Sequence, residues 1–151
     1  MNCDSCAIKN LIYQYAQHID NGDLDSVAAM FDGGRIIAVD AQGREVIIEG
    51  RAAVMALYQS FTRIYPDNNS PHTLHMTSNV VVEVEDNGAR ASAESCAVVF
   101  QALEDFPLQP IIGVRYSDTF TRESAGWRFE QRRIKTRLTG DLSRHLLRQP
   151  G

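Results

Sequence analysis

Asp20 stands beside Ile19 at the end of an apolar helical stripe. A carboxylate carried from there into a protein interior needs a partner, or burial drives it toward its neutral form. His75 opens a β-rich run and could be that partner. A histidine with a carboxylate on one ring nitrogen has its tautomer fixed, and the other nitrogen is left to act as a general base near neutral pH. The plainer reading is that Asp20 caps the turn after it and that His75 is a satisfied polar residue at a strand start. Thr77 and Asn79 alternate to the same side as His75, so Asn79 could donate to a substrate oxygen or, equally, to a neighbouring strand. Tyr13 and Tyr58 come from helical stretches and would place phenols at a pocket mouth, or finish core packing with one hydrogen bond each. Phe61 and Val99, with Met30, Phe31 and Ile112, are candidates for the walls.

Other chemistries find little support. His18, His72 and His145 have no spacing that would join them to His75 in a metal site, and no glycine-rich phosphate loop occurs, so neither metal nor nucleotide cofactor is expected. Cys3 and Cys6 form an isolated C-x-x-C on an N-terminus expected to fray, and Cys96 sits in an apolar run as a small core or interface residue. A net charge of -4 argues against nucleic acid, and the cluster Arg132, Arg133, Lys135 and Arg137 would be split between two strand faces. No apolar run approaches the roughly 18 residues that span a bilayer. The opening MNCDSCAIKN lacks the basic-then-apolar order of a signal peptide, so a cytoplasmic protein without membrane contact is expected.

The elements that must position these residues are well marked along the 151 residues. Ile8, Leu11, Ile12, Tyr15, Ala16 and Ile19 recur at three- and four-residue spacing and predict a helix over 7–19, capped by Asp4 or Ser5. Asp23 can cap a second helix over 24–31 that ends at Gly33-Gly34. Short β-rich runs over 35–40 and 44–49 flank Ala41-Gln42-Gly43 as a hairpin, and helical spacing returns over 51–64. Four long strands follow over 73–85, 89–103, 110–121 and 126–138, joined by an Asn-Gly turn, a proline-containing loop and a short polar turn. The expected fold is α+β: a cone-shaped, curved antiparallel sheet packed against three N-terminal helices, one domain over 1–140 with a tail over 141–151.

This element order resembles the cystatin-like cone of the nuclear transport factor 2-like superfamily. Tyr15-Ala16-Gln17-His18-Ile19-Asp20-Asn21-Gly22-Asp23 is similar to that family's first-helix ending, His72-Thr73-Leu74-His75-Met76-Thr77-Ser78-Asn79 to its first long strand, and Gly126-Trp127-Arg128-Phe129-Glu130-Gln131-Arg132 to its last. Within it the chain resembles the SnoaL-like branch, which includes polyketide cyclases and has lindane dehydrochlorinase and scytalone dehydratase as relatives. The resemblance to the dehydrochlorinase implies that Asp20 polarises His75, that His75 takes a proton from carbon, and that Arg132 lines the anionic side of the pocket. Scytalone dehydratase has a second catalytic histidine on the next strand, where this chain has Cys96, Ala97 and Val98. Simple alternation puts Arg133 on the face of Trp127 and Phe129 and puts Arg132 on the other, unless a bulge shifts the register.

The function implied is a cofactor-free lyase or isomerase: a dehydratase, dehydrohalogenase, isomerase or cyclase for a small, mostly apolar or aromatic molecule. The alternatives are a binding domain that holds a ligand without turning it over, and an accessory subunit resembling the small subunit of ring-hydroxylating dioxygenases. A homodimer or other homo-oligomer is expected through a row formed by Val80, Val82 and Val84, opposite the His75 side.

Overall fold

The computed structural model describes residues 3–40 and 42–148; Ala41 of the expected hairpin loop and residues 149–151 of the expected tail lie outside the described residues. Helix α1 runs Asp4–Asp20, and the predicted stripe of Ile8, Ile12, Tyr15, Ala16 and Ile19 is its buried face. Its N-cap is Cys3, which is joined to Cys6 in a disulfide, so these two cysteines are paired on an ordered helix start rather than free on a frayed one. The helix stops at Asn21-Gly22. Gly22 has φ +73°, and a Cβ there would come within 2.0 Å of the Asn69 carbonyl oxygen, so only glycine lets the loop after α3 pack this closely under the end of α1.

Helix α2, Leu24–Ala29, is capped by Asp23, whose Oδ1 accepts from the Ser26 N–H at 3.1 Å. Strands β1 (Arg35–Val39) and β2 (Glu45–Glu49) form the hairpin, and helix α3 spans Gly50–Phe61. Strands β3 (Thr73–Val84), β4 (Arg90–Leu103), β5 (Phe106–Glu123) and β6 (Gly126–Thr139) form the antiparallel meander. All six strands make one curved sheet in the order β2-β1-β6-β5-β4-β3. The junction of β1 with β6 is parallel, which the expectation of a wholly antiparallel sheet did not include. Strand β5 begins at Phe106, inside the segment read as a loop. Among the described residues no helix is long and apolar enough to cross a membrane.

Strand β4 shows why α1 can sit inside the curve. Its inward positions are Ala91, Ala93, Ser95 and Ala97, all buried and small, while Arg90, Ser92 and Glu94 point to solvent. These small side chains leave room inside the curve, α1 packs closely on β3 and also on β6, and aromatic rings fill the remaining volume. Phe31 stacks on Phe129 at 5.1 Å between ring centres, and Phe120 meets Phe129 at 4.7 Å.

Two register slips decide which side chains face this interior. In β3 the pairing with β4 slips between Ser78 and Val81, with Asn79 in the left-handed region at φ +54°. Before the slip His75 and Thr77 alternate inward against exposed Leu74 and Met76. After it Val80, Val82 and Val84 pack on the core, leaving Val81 exposed. The valine row expected on the outside is therefore inside. In β6 the register slips between the pairs Thr119–Gln131 and Phe120–Phe129, so that Phe129 and Arg132, three residues apart, both point inward.

Candidate active site

Asp20 and His75 meet. The end of α1 aims the Asp20 carboxylate across the start of β3, where Oδ1 lies 2.6 Å from His75 Nδ1 and Oδ2 accepts the His75 backbone N–H at 2.8 Å. Thr73, two residues before His75 and so on the same strand face, donates its hydroxyl to Oδ1 at 2.8 Å. An ionised carboxylate only accepts, so in this contact Nδ1 would carry a ring hydrogen, and in the neutral imidazole Nε2 would then hold the lone pair. Nε2 makes no hydrogen bond among the described residues. The His75 side chain is only 6% exposed and that of Asp20 14%. Asp20 does not cap the turn after α1; that turn is closed by backbone bonds from Asn21 and Gly22 to Gln17 and Ile19.

Arg132 points inward and is fully buried, whereas Arg133 is on the other face and pairs with Glu45. The Arg132 guanidinium makes a two-pronged bond to Asp118, with Nε at 2.9 Å and Nη2 at 2.8 Å, and packs over the rings of Tyr15, Tyr116 and Phe129. Burial opposes its charge, but Asp118 outweighs it and holds the guanidinium above its usual range, so it stays ionised. Burial pushes the Asp118 carboxyl up, against the pull of Arg132. Nη1 has no partner. The guanidinium thus braces the deep end of the cone instead of lining a solvent-connected anionic wall. Asp118 escaped the sequence reading, although a single carboxylate in the inward phase of Val114, Tyr116 and Phe120 was a usable signal.

Tyr58 points into the same deep end, its hydroxyl hydrogen-bonded to that of Tyr15. Burial pushes both phenols up, so both stay protonated. Val99 is the cross-strand partner of His75 and is buried beside it. Phe61 lies at the end of α3 under the Arg148 guanidinium and holds the C-terminal segment through its carbonyl. Two expected binding residues are elsewhere. Tyr13 is 40% exposed on the outer side of α1, one position off the buried stripe. Asn79 is exposed in the β3 slip, because the left-handed residue there breaks the alternation that would have kept it beside His75.

Much of the cone interior expected to be pocket is filled by Tyr15, Phe31, Tyr116, Phe120, Phe129 and Arg132. A groove of about 630 Å³ opens between the turn after α1 and helix α3, lined by Gly22, Leu24, Met55, Thr62, Arg63 and Leu147 among others; neither Asp20 nor His75 is part of its lining. No group of three or more metal-ligating side chains with suitable geometry occurs among the described residues.

Residues 3–133 match the family described as the SnoaL-like domain. Among solved structures, a nuclear transport factor 2-like protein with a cystatin-like fold from Novosphingobium aromaticivorans aligns with a TM-score of 0.72 at 26% identity, over 93% of this chain and 85% of that one. A candidate scytalone dehydratase from the same organism aligns with a TM-score of 0.66 at 22% identity, over 89% and 85%. ActVI-ORFA from Streptomyces coelicolor aligns with a TM-score of 0.66 at 14% identity, over 85% and 93%. No functionally curated protein matches the chain.

Proposed function

Since the chain belongs to the SnoaL-like domain family, we propose that it is an enzyme acting on a small, mostly apolar molecule, in which His75 takes a proton from carbon and Asp20 orients and supports it. The reaction class is that of a lyase or isomerase working without a cofactor: dehydration, dehydrohalogenation, isomerisation or cyclisation. The observation that carries this reading is the threefold use of Asp20. One carboxylate fixes the ring of His75, its backbone N–H and the neighbouring Thr73 hydroxyl. A capping aspartate has no need of a buried imidazole, and a merely satisfied histidine does not need its tautomer locked with the opposite nitrogen left free. When Nε2 accepts a proton, the imidazolium forms against a carboxylate already in contact, which lowers the cost of charge in a nearly closed site. The structural neighbour described as a candidate scytalone dehydratase supports the reaction class by analogy of fold.

The test begins with a thermal-shift screen of small ketones, halides and polyketide-like aromatics, followed by turnover assays on whatever binds. Asp20→Asn keeps a hydrogen-bonding group but cannot stabilise the imidazolium, so it should impair turnover nearly as much as His75→Ala, by about a hundredfold or more. The double variant should be little worse than either single one, as expected for residues acting as a unit. Wild-type turnover in both single variants would remove the catalytic reading and leave a ligand-binding domain.

A further inference from the structure

The first turn of α1 carries a pair of sulfurs, at the end of the helix opposite Asp20. Cys3 and Cys6 are joined in a disulfide, and both residues are exposed. A disulfide that holds a fold together ties elements far apart in sequence, because the chain entropy it removes grows with the loop it closes. This one closes a single helical turn. Its two ends are already held there by the helix: the Ala7 N–H donates to the Cys3 carbonyl at 3.0 Å, and the Cys6 N–H donates to Cys3 Sγ at 3.2 Å. Asp4, between them, anchors the same turn to β5 and β6 through an ion pair with Arg122 and a hydrogen bond from Trp127 Nε1 at 3.1 Å. The turn keeps its place without a cross-link.

The same turn makes the two sulfurs unequal. Cys3 is the N-cap, the position where the unpaired N–H groups of a first turn favour negative charge. When the S–S bond opens, the Cys3 sulfur that accepts from the Cys6 N–H becomes a thiolate accepting a charge-assisted bond. Cys6 lies inside the turn, past the cap. Asp4, the charge between them, is matched by Arg122. Cys3 is therefore the better leaving sulfur, and Cys6 the sulfur open to attack.

We propose that Cys3 and Cys6 form a thiol–disulfide exchange site for low-molecular-weight thiols of the glutathione class, which reach the exposed sulfurs without a docking surface. A thiolate RS⁻ attacks Cys6 Sγ, the S–S bond breaks, and its electron pair leaves on Cys3 Sγ. A second RS⁻ attacks the sulfur that R carries in the mixed disulfide, releasing RSSR and the Cys6 thiolate. Two RSH are thereby oxidised to RSSR while the protein disulfide is reduced, and the two protons end on the two cysteines. The reverse reaction, in which RSSR oxidises the dithiol, restores the bond. This site works apart from the Asp20–His75 pair, since Asp20 lies at the other end of the 17-residue helix, about 25 Å away along its axis.

The test equilibrates the full chain with graded ratios of reduced to oxidised glutathione, traps free thiols by alkylation and reads each cysteine by peptide mass spectrometry. Cys96, a free cysteine, is the internal reference. Millimolar reduced glutathione should open the Cys3–Cys6 bond, oxidised glutathione should close it again, and the open form should melt within about 3 °C of the closed one. Cys3→Ser keeps a good N-cap and Cys6→Ser keeps the backbone N–H that faces Cys3, so both variants hold the first turn. At neutral pH the remaining Cys3 of Cys6→Ser should react with iodoacetamide about tenfold faster than the remaining Cys6 of Cys3→Ser. A bond that millimolar glutathione leaves closed would overturn the proposal. So would a melting temperature that falls further than this on opening, which would make the bond a structural staple, or equal alkylation rates in the two variants.

Discussion

Arg132 and Asp118 form a charged pair buried in the deep end of the cone. Both side chains are fully enclosed, and the guanidinium packs over three aromatic rings. Removing either partner strands a charge in the deepest part of the fold. Arg132→Ala or Asp118→Ala should therefore cost about 3–5 kcal/mol of unfolding free energy in urea titrations. Replacing both together by apolar residues of similar size, Arg132→Met with Asp118→Leu, should recover most of that loss, because the desolvation penalty disappears with the charges. If the double variant were as unstable as the single ones, the pair would have to be stabilising in its own right and not only mutually dependent.

At the scale of elements, the end of α1 and the start of β3 carry the site. Gly22 turns the chain just after Asp20, and its missing Cβ admits the Asn69 carbonyl. Gly22→Ala should cost more than about 1 kcal/mol through positive φ and steric clash together, and should weaken ligand binding by shifting the carboxylate. Paired denaturation and thermal-shift measurements check both effects. His145 gives the C-terminal segment a pH signature. Its imidazole titrates near 6.5 when unfolded and at about 4 in the fold, so between those values the unfolded chain binds the proton and the folded chain does not. Stability should thus fall as pH drops through that window, by up to about 3 kcal/mol from this group. The carboxylates contribute their own losses at lower pH, so the diagnostic quantity is the difference between wild type and His145→Leu. Parallel slopes for the two proteins would show that His145 is not buried in its neutral form.

For the whole molecule, the register of the sheet gathers apolar side chains on its outer face. Met76, Val98, Gly113 and Leu138 align across β3, β4, β5 and β6, next to Leu74 and Phe100 on β3 and β4. Leu74 is 58% exposed, Met76 55% and Leu138 71%, so this face, and not the valine row, is where the expected homodimer would bury apolar surface. On that proposal the chain elutes and scatters light as a dimer at micromolar concentration, and Met76→Glu shifts it to monomer without lowering its content of folded structure. A monomeric wild type would remove the proposal.

The sequence by itself determined the element order, the buried stripe of α1, the hairpin and the meander, and it offered His75 as a partner for Asp20 without deciding between that and a capping role. These depend on local periodicity, turn residues and a chain order that matches a known cone, all of which are written in short stretches. It did not determine the facing of side chains beyond a bulge. Asn79 and the valines after it, and Arg132 against Arg133, all turned on a single slipped residue in β3 or β6, and period-two alternation has no memory across such a slip. Nor did it show that the β1–β2 hairpin joins the main sheet through a parallel contact with β6, or that the segment beyond β6 packs back on β4 and β5. By sequence alone this segment reads as a tail, and where the chain around His145 comes to rest is fixed by bonds to Gln101, Arg63 and Phe61. These partners are distant in sequence, and only closure of the tertiary structure brings them within hydrogen-bonding reach.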